Sequence, residues 1–352
     1  MAAGTFFKTF TNSDRTTTRT LLHESIPITG TLVSGTYNTS TQSDSIVREK
    51  NIKTFSHGMF QSIYDYPHLS SSANHLFDIT AGYAAGSSLS GSTAGHTQND
   101  KKINIYNQMA QALAGYDTTN SIRQFDSDGN YSDTTGDKHK EVVFLNFSRL
   151  LVKDEIKKGS FSLTLGTGSA YATPFGDTFT LTDSHAANSY KINSPAGEFG
   201  TLKTAGRDTL FGLVYYQAGI VALATASFGS AILNTSGDQI GPALTGSTIN
   251  KFADGVRRRI QNLSFNNTTE LNSSIYFCRA NHNEFNYSSN PTYLTGSQIV
   301  VKDDDIMTPP RSYVTTVGLY SADNELLAVA KLSEPLKKTP SNEVTLRVRL
   351  DY

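Results

Sequence analysis

The chain has 352 residues, with 30 Lys and Arg against 31 Asp and Glu, and only 17% of its residues are charged. This length is enough for one large or two ordinary domains. The near-neutral balance lacks the basic excess of a typical nucleic-acid-binding protein, and the low charge content is unlike that of a disordered chain. We therefore predict no nucleic-acid partner.

The first twenty residues are rich in Thr, Ser and Asn, with aromatic anchors at Phe6, Phe7 and Phe10. A polar segment of this kind cannot bury enough apolar surface by itself. We predict an extended N-terminal arm over residues 1–20 that becomes ordered by lying along a neighbouring subunit. The run 26–33 then indicates an edge strand, because Pro27 cannot donate a ladder hydrogen bond.

Residues 46–83 combine aromatic side chains with His57, His68 and His75. The histidines are spaced by eleven and seven residues, which matches no compact metal-ligand motif, and no Cys accompanies them. We predict structural roles for these histidines rather than a metal site.

The segment Tyr64, Asp65, Tyr66 and Pro67 has two interpretations. It can form a rigid amphipathic contact with another subunit, since aromatic residues are enriched in interface cores. It can equally pack within its own chain, and the sequence does not separate these alternatives.

Two helices are predicted. The first covers 101–114, where apolar residues recur at helical spacing before Gly115 ends the run, and the second lies near 250–262. The second contains Arg257, Arg258 and Arg259. Three arginines could hold a phosphate, but an exposed face or an intersubunit salt bridge is the preferred interpretation.

The run Asp126–Asp133 resembles the start of a calcium loop, but Gly129 falls at position four instead of six and Asp137 takes the place of the terminal Glu. We predict a polar hairpin tip. The most apolar segment, 211–228, is interrupted by Gly and Gln and is marginal for a bilayer span, so we interpret it as core and expect a soluble protein. The N-terminus lacks the features of a signal peptide.

No motif indicates catalysis. Cys278 lies in an apolar run and is predicted to be a buried small hydrophobe, with His282 as its only nearby partner. The triplet 183–185 contains hydrolase residue types, but adjacency in sequence is not the geometry of a triad. The segment 166–169 lacks the lysine and the helix of a phosphate loop. We therefore predict no catalytic, cofactor-binding or metal-ligating residues.

The last forty residues commit most clearly to a structure. The runs 313–320 and 326–330 are separated by a polar turn and predict a hairpin, and Val344–Leu350 alternates as a third strand with one buried face. We predict that the three strands form one C-terminal sheet. Upstream, Tyr293 lies in a turn-rich aromatic connector and is a further candidate for a subunit contact.

The phrase Thr315–Ala330 resembles the IGLYD-x-x-G-x-LLAVA hairpin of tail and baseplate-associated proteins of tailed phages, with Asn324 where that pattern often has Gly. A longer likeness is to virion structural proteins of contractile-tailed marine phages of the cyanophage type. It covers 56–83, 103–116 and 272–352, and is carried by 56–67, 101–110 and 283–293. The resemblance implies a location in the virion.

Short strands bounded by Gly, Asn, Ser and Pro predict a mainly β or α+β fold with antiparallel, sandwich-like sheets. We expect three regions: the arm over 1–20, a mixed α/β interaction region over 21–140, and a β-rich domain over 141–352.

The expected function is that of a non-enzymatic virion subunit of the tail or baseplate, which contacts copies of itself and other virion proteins in a ring-forming oligomer without a membrane. Its subunit contacts would use the N-terminal aromatics, the 64–67 segment, the three arginines and Tyr293. A neck, head-closure or capsid-surface protein is the alternative, and a receptor-binding or glycan-degrading tail protein is the alternative from another class.

Overall fold

The computed structural model describes residues 7–28, 51–88, 90, 97–131, 138–166, 175–176, 178–204, 210–225, 248–288, 290–296, 298–299 and 310–352. The chain forms two compact units. The central unit is Leu22–Thr269, and the terminal unit combines Met1–Leu21 with Glu270–Tyr352.

In chain order the strands are β1 (Arg15–Pro27), β2 (Ile52–Thr54), β3 (Gln61–Tyr64), β4 (His75–Tyr83), β5 (Phe125–Asp126), β6 (Lys138–His139), β7 (Glu141–Phe147), β8 (Glu155–Ile156), β9 (Ser162–Gly166), β10 (Thr178–Thr182), β11 (Lys191–Ser194), β12 (Gly197–Thr204), β13 (Leu210–Tyr215), β14 (Ile220–Ala224), β15 (Ile260–Ala280), β16 (Leu294–Thr295), β17 (Gln298–Ile299), β18 (Ser312–Tyr320), β19 (Leu326–Lys338) and β20 (Val344–Asp351). The α-helices are α1 (Thr97–Leu113), α2 (Arg149–Val152), α3 (Ala186–Ser189) and α4 (Ile249–Arg259). The boundary between the two units falls inside β1 and β15.

The central unit is built on an antiparallel sheet in the order β15-β9-β10-β12-β13-β14-β7-β4-β3-β2. Strand β7 shows why both faces of this sheet are buried. Val143, Leu145 and Phe147 join one hydrophobic core together with side chains of α4, while Val142 and Phe144 join a second core with α1. Alternate residues of a strand point to opposite faces, so one apolar run supplies both layers. The predicted mainly β, antiparallel fold is confirmed.

Helix α1 confirms the first helix prediction, and Gly115 follows it with φ +79°, the left-handed conformation that suits glycine after a helix. The second prediction is correct only up to Arg259. Ile260 already begins β15 and is paired with Leu165, and from there Leu263 and Phe265 alternate as buried strand residues. Period-two burial replaces the helical period at this point.

The apolar segment predicted as core forms β13 and β14, whose side chains are nearly all buried, and its residues 226–228 lie outside the described residues. In the part of the chain that the structure describes, no helix combines the length and the hydropathy that a bilayer crossing requires.

The terminal unit corrects the prediction of a three-stranded C-terminal sheet. Strands β18 and β19 form a two-stranded sheet, whereas β20 pairs with β15 in a register that runs from Ser273 opposite Asp351 to Ala280 opposite Val344. The alternation predicted for β20 is present, but its apolar side chains are only half-buried. Its pairing partner lies about seventy residues away, beyond the reach of a local pattern.

Part of the predicted N-terminal arm contacts its own chain. Residues 15–20 belong to β1, which lies beside β15, and within the terminal unit Nζ of Lys8 lies 2.9 Å from a carboxylate oxygen of Glu284. Residues 29–33 of the predicted edge strand lie outside the described residues, and β1 ends at Pro27. The predicted boundary at residue 140 does not separate compact units, because β4 and β7 pair across it over seven residues.

Candidate assembly surface

Strands β18 and β19, here called the C-terminal hairpin, form an antiparallel pair in which Val317 lies opposite Ala330 and Gly318 opposite Val329. The β-branched and aromatic residues of β18 favour this extended conformation. The register shifts between Val314 and Thr316 and again between Leu319 and Tyr320, which bends the pair at two points. The hairpin predicted from the sequence is confirmed.

The turn of the hairpin is fixed by one serine and one asparagine. The Ser321 hydroxyl accepts hydrogen bonds from the amides of Asp323 (3.2 Å) and Glu325 (3.1 Å), and the Ser321 amide donates to the Glu325 carbonyl at 2.8 Å. Asn324 has φ +63°, in the left-handed region. Asn tolerates this conformation better than most non-glycine residues, which agrees with its place where the related pattern often has Gly.

The two faces of the hairpin differ in burial. On one face Leu319 is buried, and Val317, Ala328 and Ala330 are half-buried. Four apolar side chains near the turn, here called the apolar patch, are instead largely exposed. They are Tyr320 (59%), Leu326 (53%), Leu327 (66%) and Val329 (57%). Single exposed apolar residues are ordinary, but four large ones within Tyr320–Val329 make the turn end of the hairpin a candidate interaction site.

The two outer edges of the hairpin are unequal. Strand β19 carries Lys331, Glu334, Pro335 and Lys337, residue types that protect an open edge from further pairing. Strand β18 contains neither a charged residue nor a proline over its nine residues. Among the described residues, neither strand pairs with any strand other than its hairpin partner.

The base of the hairpin is held by a buried lysine. The Lys338 ammonium donates to the carbonyls of His282 (3.2 Å) and Thr339 (2.9 Å) and to Oδ1 of Asn286 (2.8 Å), so all three N–H groups have acceptors. Burial lowers the pKa of Lys338. The Ser312 hydroxyl also donates to the Phe285 carbonyl. These contacts fix the hairpin at the end opposite its apolar patch.

The aromatic residues of the arm have separate positions. Phe6 lies outside the described residues, and Phe7 is exposed. Phe10 packs on the ring of Tyr276 with centroids 5.4 Å apart, so it contacts its own chain. Only Phe7 of the described arm aromatics keeps most of its surface for another molecule.

The 64–67 segment is a rigid turn in the central unit. Both Asp65 carboxylate oxygens accept hydrogen bonds from Asn74, and Oδ1 also accepts the Tyr66 amide at 2.8 Å. Tyr66 is half exposed, whereas Tyr64 packs on His75 at 5.7 Å and Pro67 is half-buried. The two interpretations therefore apply to different residues, with packing for Tyr64 and an available surface at Tyr66.

The arginines do not form the exposed face that was predicted. Arg257 and Arg259 are buried within the central unit, and Nη1 of Arg259 donates to the Gly166 carbonyl at 3.2 Å. The side chain of Arg258 lies outside the described residues. A buried guanidinium cannot reach another subunit, so two of the three arginines are corrected to internal roles. Tyr293 is half-buried at the end of a short 3-10 turn (Pro291–Tyr293).

The residues considered for metal binding or catalysis have local partners. His57 accepts the Met59 amide at Nδ1, and His75 Nε2 lies 2.8 Å from Asp78. Among the described residues, no three His, Cys, Asp or Glu side chains are arranged to hold a metal ion. Burial raises the pKa of the Cys278 thiol, which disfavours a reactive thiolate.

Asp183, from the triplet 183–185 that contains hydrolase residue types, is a buried carboxylate. It accepts the amides of Gly159 and Phe161, each at 2.8 Å, and the Tyr216 hydroxyl at 3.0 Å. Burial raises the pKa of Asp183 despite these hydrogen bonds. Its oxygens tie a loop to the core, which is a structural role.

The calcium-like run begins at Asp126 in β5, and β5 pairs antiparallel with β6, as a hairpin requires. Oδ2 of Asp126 lies 3.2 Å from Nζ of Lys138, and Oδ2 of Asp128 accepts a hydrogen bond from Nδ2 of Asn130 at 2.5 Å. Residues 132–137 lie outside the described residues.

No protein-family model, curated protein sequence or solved structure matches this chain.

Proposed function

We propose that this protein is a non-enzymatic structural subunit that works by binding copies of itself and companion proteins in a larger assembly. The observation that carries the proposal is the apolar patch of the C-terminal hairpin, where four large apolar side chains remain more than half exposed. A two-stranded hairpin is marginally stable by itself in water, and burial of its exposed face against a partner stabilises it.

The resemblance of the same hairpin to tail and baseplate-associated phage proteins supports a virion as the assembly. The patch lies within Thr315–Ala330, the stretch that carries this likeness. The hairpin pattern supports a tail or baseplate position, and a ring is the closed arrangement that repeats one contact around an axis. Many modest contacts in a ring stabilise one another.

The experiment compares the oligomeric state of the wild-type protein with that of a double variant, Leu326→Ser with Val329→Ser, by light scattering across a concentration series. Both side chains are exposed, so the variant keeps its fold, which circular dichroism checks. We expect the wild type to form oligomers and the double variant to form smaller assemblies. Ile192→Ser, an exposed aliphatic residue of the central unit, is the matched control and should assemble normally.

Two results would overturn the proposal: a wild type that stays monomeric at every concentration, or a double variant that assembles as well as the wild type. Turnover of a polysaccharide by the purified wild-type protein would also reverse it. Antibody labelling of purified virions tests the location, with label on the tail or baseplate as the expected result.

A further inference from the structure

We propose that β18 pairs antiparallel with β18 of a second copy, so that two C-terminal hairpins join into a four-stranded sheet around a two-fold axis. The inference rests on the proposed function, because it names the partner and geometry of one contact within that assembly.

The outer edges of β18 and β19 differ in how well they are protected from further pairing. A strand at the edge of a sheet has unpaired amide and carbonyl groups that can template another strand, and proteins usually block such edges with charge or proline. On β19, Lys331, Glu334, Pro335 and Lys337 do so. The nine residues of β18 include no charged residue and no proline, and they are rich in residues with high strand propensity. Strand β18 is therefore the edge prepared for pairing.

The two ends of the hairpin carry opposite charges. Its turn carries the exposed acidic residues Asp323 and Glu325, whereas its base carries Arg311 and the exposed Lys337. Within the stem, Lys331 and Glu334 offset each other. Antiparallel pairing of two copies places the acidic turn of one hairpin beside the basic base of the other, twice by symmetry. Parallel pairing would instead place like charges together, so the charges favour a second copy in the antiparallel orientation.

Two antiparallel copies of β18 can pair in a favourable register. Thr316 is the central residue of Ser312–Tyr320, so full overlap of two antiparallel β18 strands places Thr316 opposite its own copy. Tyr313 then lies opposite Leu319 of the second copy, and Val314 opposite Gly318. Thr–Thr and aromatic–aliphatic cross-strand pairs are favourable, and no charge is paired with a like charge along the strand. This is an isologous contact, in which the same surface serves both copies.

The test uses cysteine cross-linking in a Cys278→Ser background, which removes the chain's single native thiol. Thr316→Cys places a thiol at the two-fold axis, where a short bis-maleimide should join two copies. Glu334→Cys on β19 is the comparison, because in the four-stranded sheet the two β19 strands lie three strand spacings apart, roughly 14 Å. Both positions are exposed, so neither change disturbs the fold.

We expect covalent dimers from Thr316→Cys and few from Glu334→Cys at the same protein concentration. Cross-linking that favours Glu334→Cys, or is equal at the two positions, overturns the inference. An oligomeric wild type whose Thr316→Cys variant does not cross-link overturns the β18 contact and leaves the proposed function standing. A monomeric wild type contradicts both.

A second variant gives an independent readout. Thr316→Lys places two ammonium groups opposite each other at the two-fold axis, where they repel. It also adds a charged residue to the edge of β18, like the lysines on β19. We expect the dissociation constant of the dimer to rise roughly tenfold or more. Thr345→Lys, an exposed threonine of β20, is the matched control and should leave it unchanged. Equal effects of the two lysines would contradict the proposed edge.

Discussion

Lys102 shows how the central unit accommodates an ionisable side chain. It lies on α1 and is almost fully buried, with its Nζ 5.9 Å from the centroid of the Tyr83 ring. Burial penalises the ammonium form and lowers the pKa of Lys102 to about 8. An unfolded chain holds this proton up to a pKa of about 10.4. Folding therefore releases a proton between these two values.

The stability of the protein should consequently rise with pH through this window, because there the unfolded state binds more protons than the folded state. Against Lys102→Met, the wild type should gain about 2 kcal/mol in free energy of unfolding between pH 7 and pH 9.5. Urea denaturation of both proteins at a series of pH values measures this. All other ionisable residues are the same in the two proteins, so a difference in stability that is independent of pH would contradict the lowered pKa of Lys102.

The left-handed backbone conformation of Asn324 supports a second prediction. Its φ of +63° costs a β-branched side chain more than it costs Asn, and costs glycine nothing. We expect Asn324→Gly to be neutral or slightly stabilising and Asn324→Val to weaken the hairpin by about 1 to 2 kcal/mol. Hydrogen exchange at the paired residues Val317 and Ala330 is the measurement. Equal protection in the Gly and Val variants would show that the turn does not control the hairpin.

Helix α1 packs closely on β4 at Gly82. A Cβ on Gly82 of β4 would lie 2.6 Å from the carbonyl oxygen of Lys102 and 2.7 Å from the amide nitrogen of Tyr106. Both atoms belong to the helix backbone, which cannot move aside as a side chain would. Only glycine lets the helix pack at this distance.

Gly82→Ala should therefore destabilise the central unit by about 1 to 3 kcal/mol, since overpacking forces the helix away from the sheet. Gly86→Ala is the matched control, because an added Cβ there meets no atom within 4 Å. Thermal and urea denaturation compare the two variants. A Gly82→Ala protein as stable as Gly86→Ala would show that α1 can shift without loss.

Local sequence patterns predicted those elements whose signals lie within a short stretch. Helix α1 and the C-terminal hairpin were predicted because helical spacing, Gly115 and the polar turn are all local features. The pairing of β20 with β15 was missed because strand partners are chosen by the whole fold. The burial of Arg257 and Arg259 was missed for the same reason, since the Gly166 carbonyl that Arg259 meets lies far away in sequence.

The apolar patch illustrates the limit for the candidate site. The run Leu326–Ala330 has the composition of a core strand, and the exposure of Leu326, Leu327 and Val329 becomes visible only in the folded structure. Composition alone cannot distinguish an apolar strand that faces its own core from one that faces a partner. The unequal charge of β18 and β19, by contrast, can be read directly from the sequence once both are known to be edges.

In the molecule as a whole, the sequence of the central unit is complete before that of the terminal unit during synthesis. The central unit uses only residues 22–269, whereas the terminal unit combines residues 1–21 with residues 270–352. During synthesis residues 22–269 are complete before residues 270–352 are made, so the central unit can fold before the terminal unit is complete. The C-terminal hairpin emerges only after that. A nascent polypeptide therefore gains the surface that we propose for association only after the whole sequence of the central unit has been synthesised.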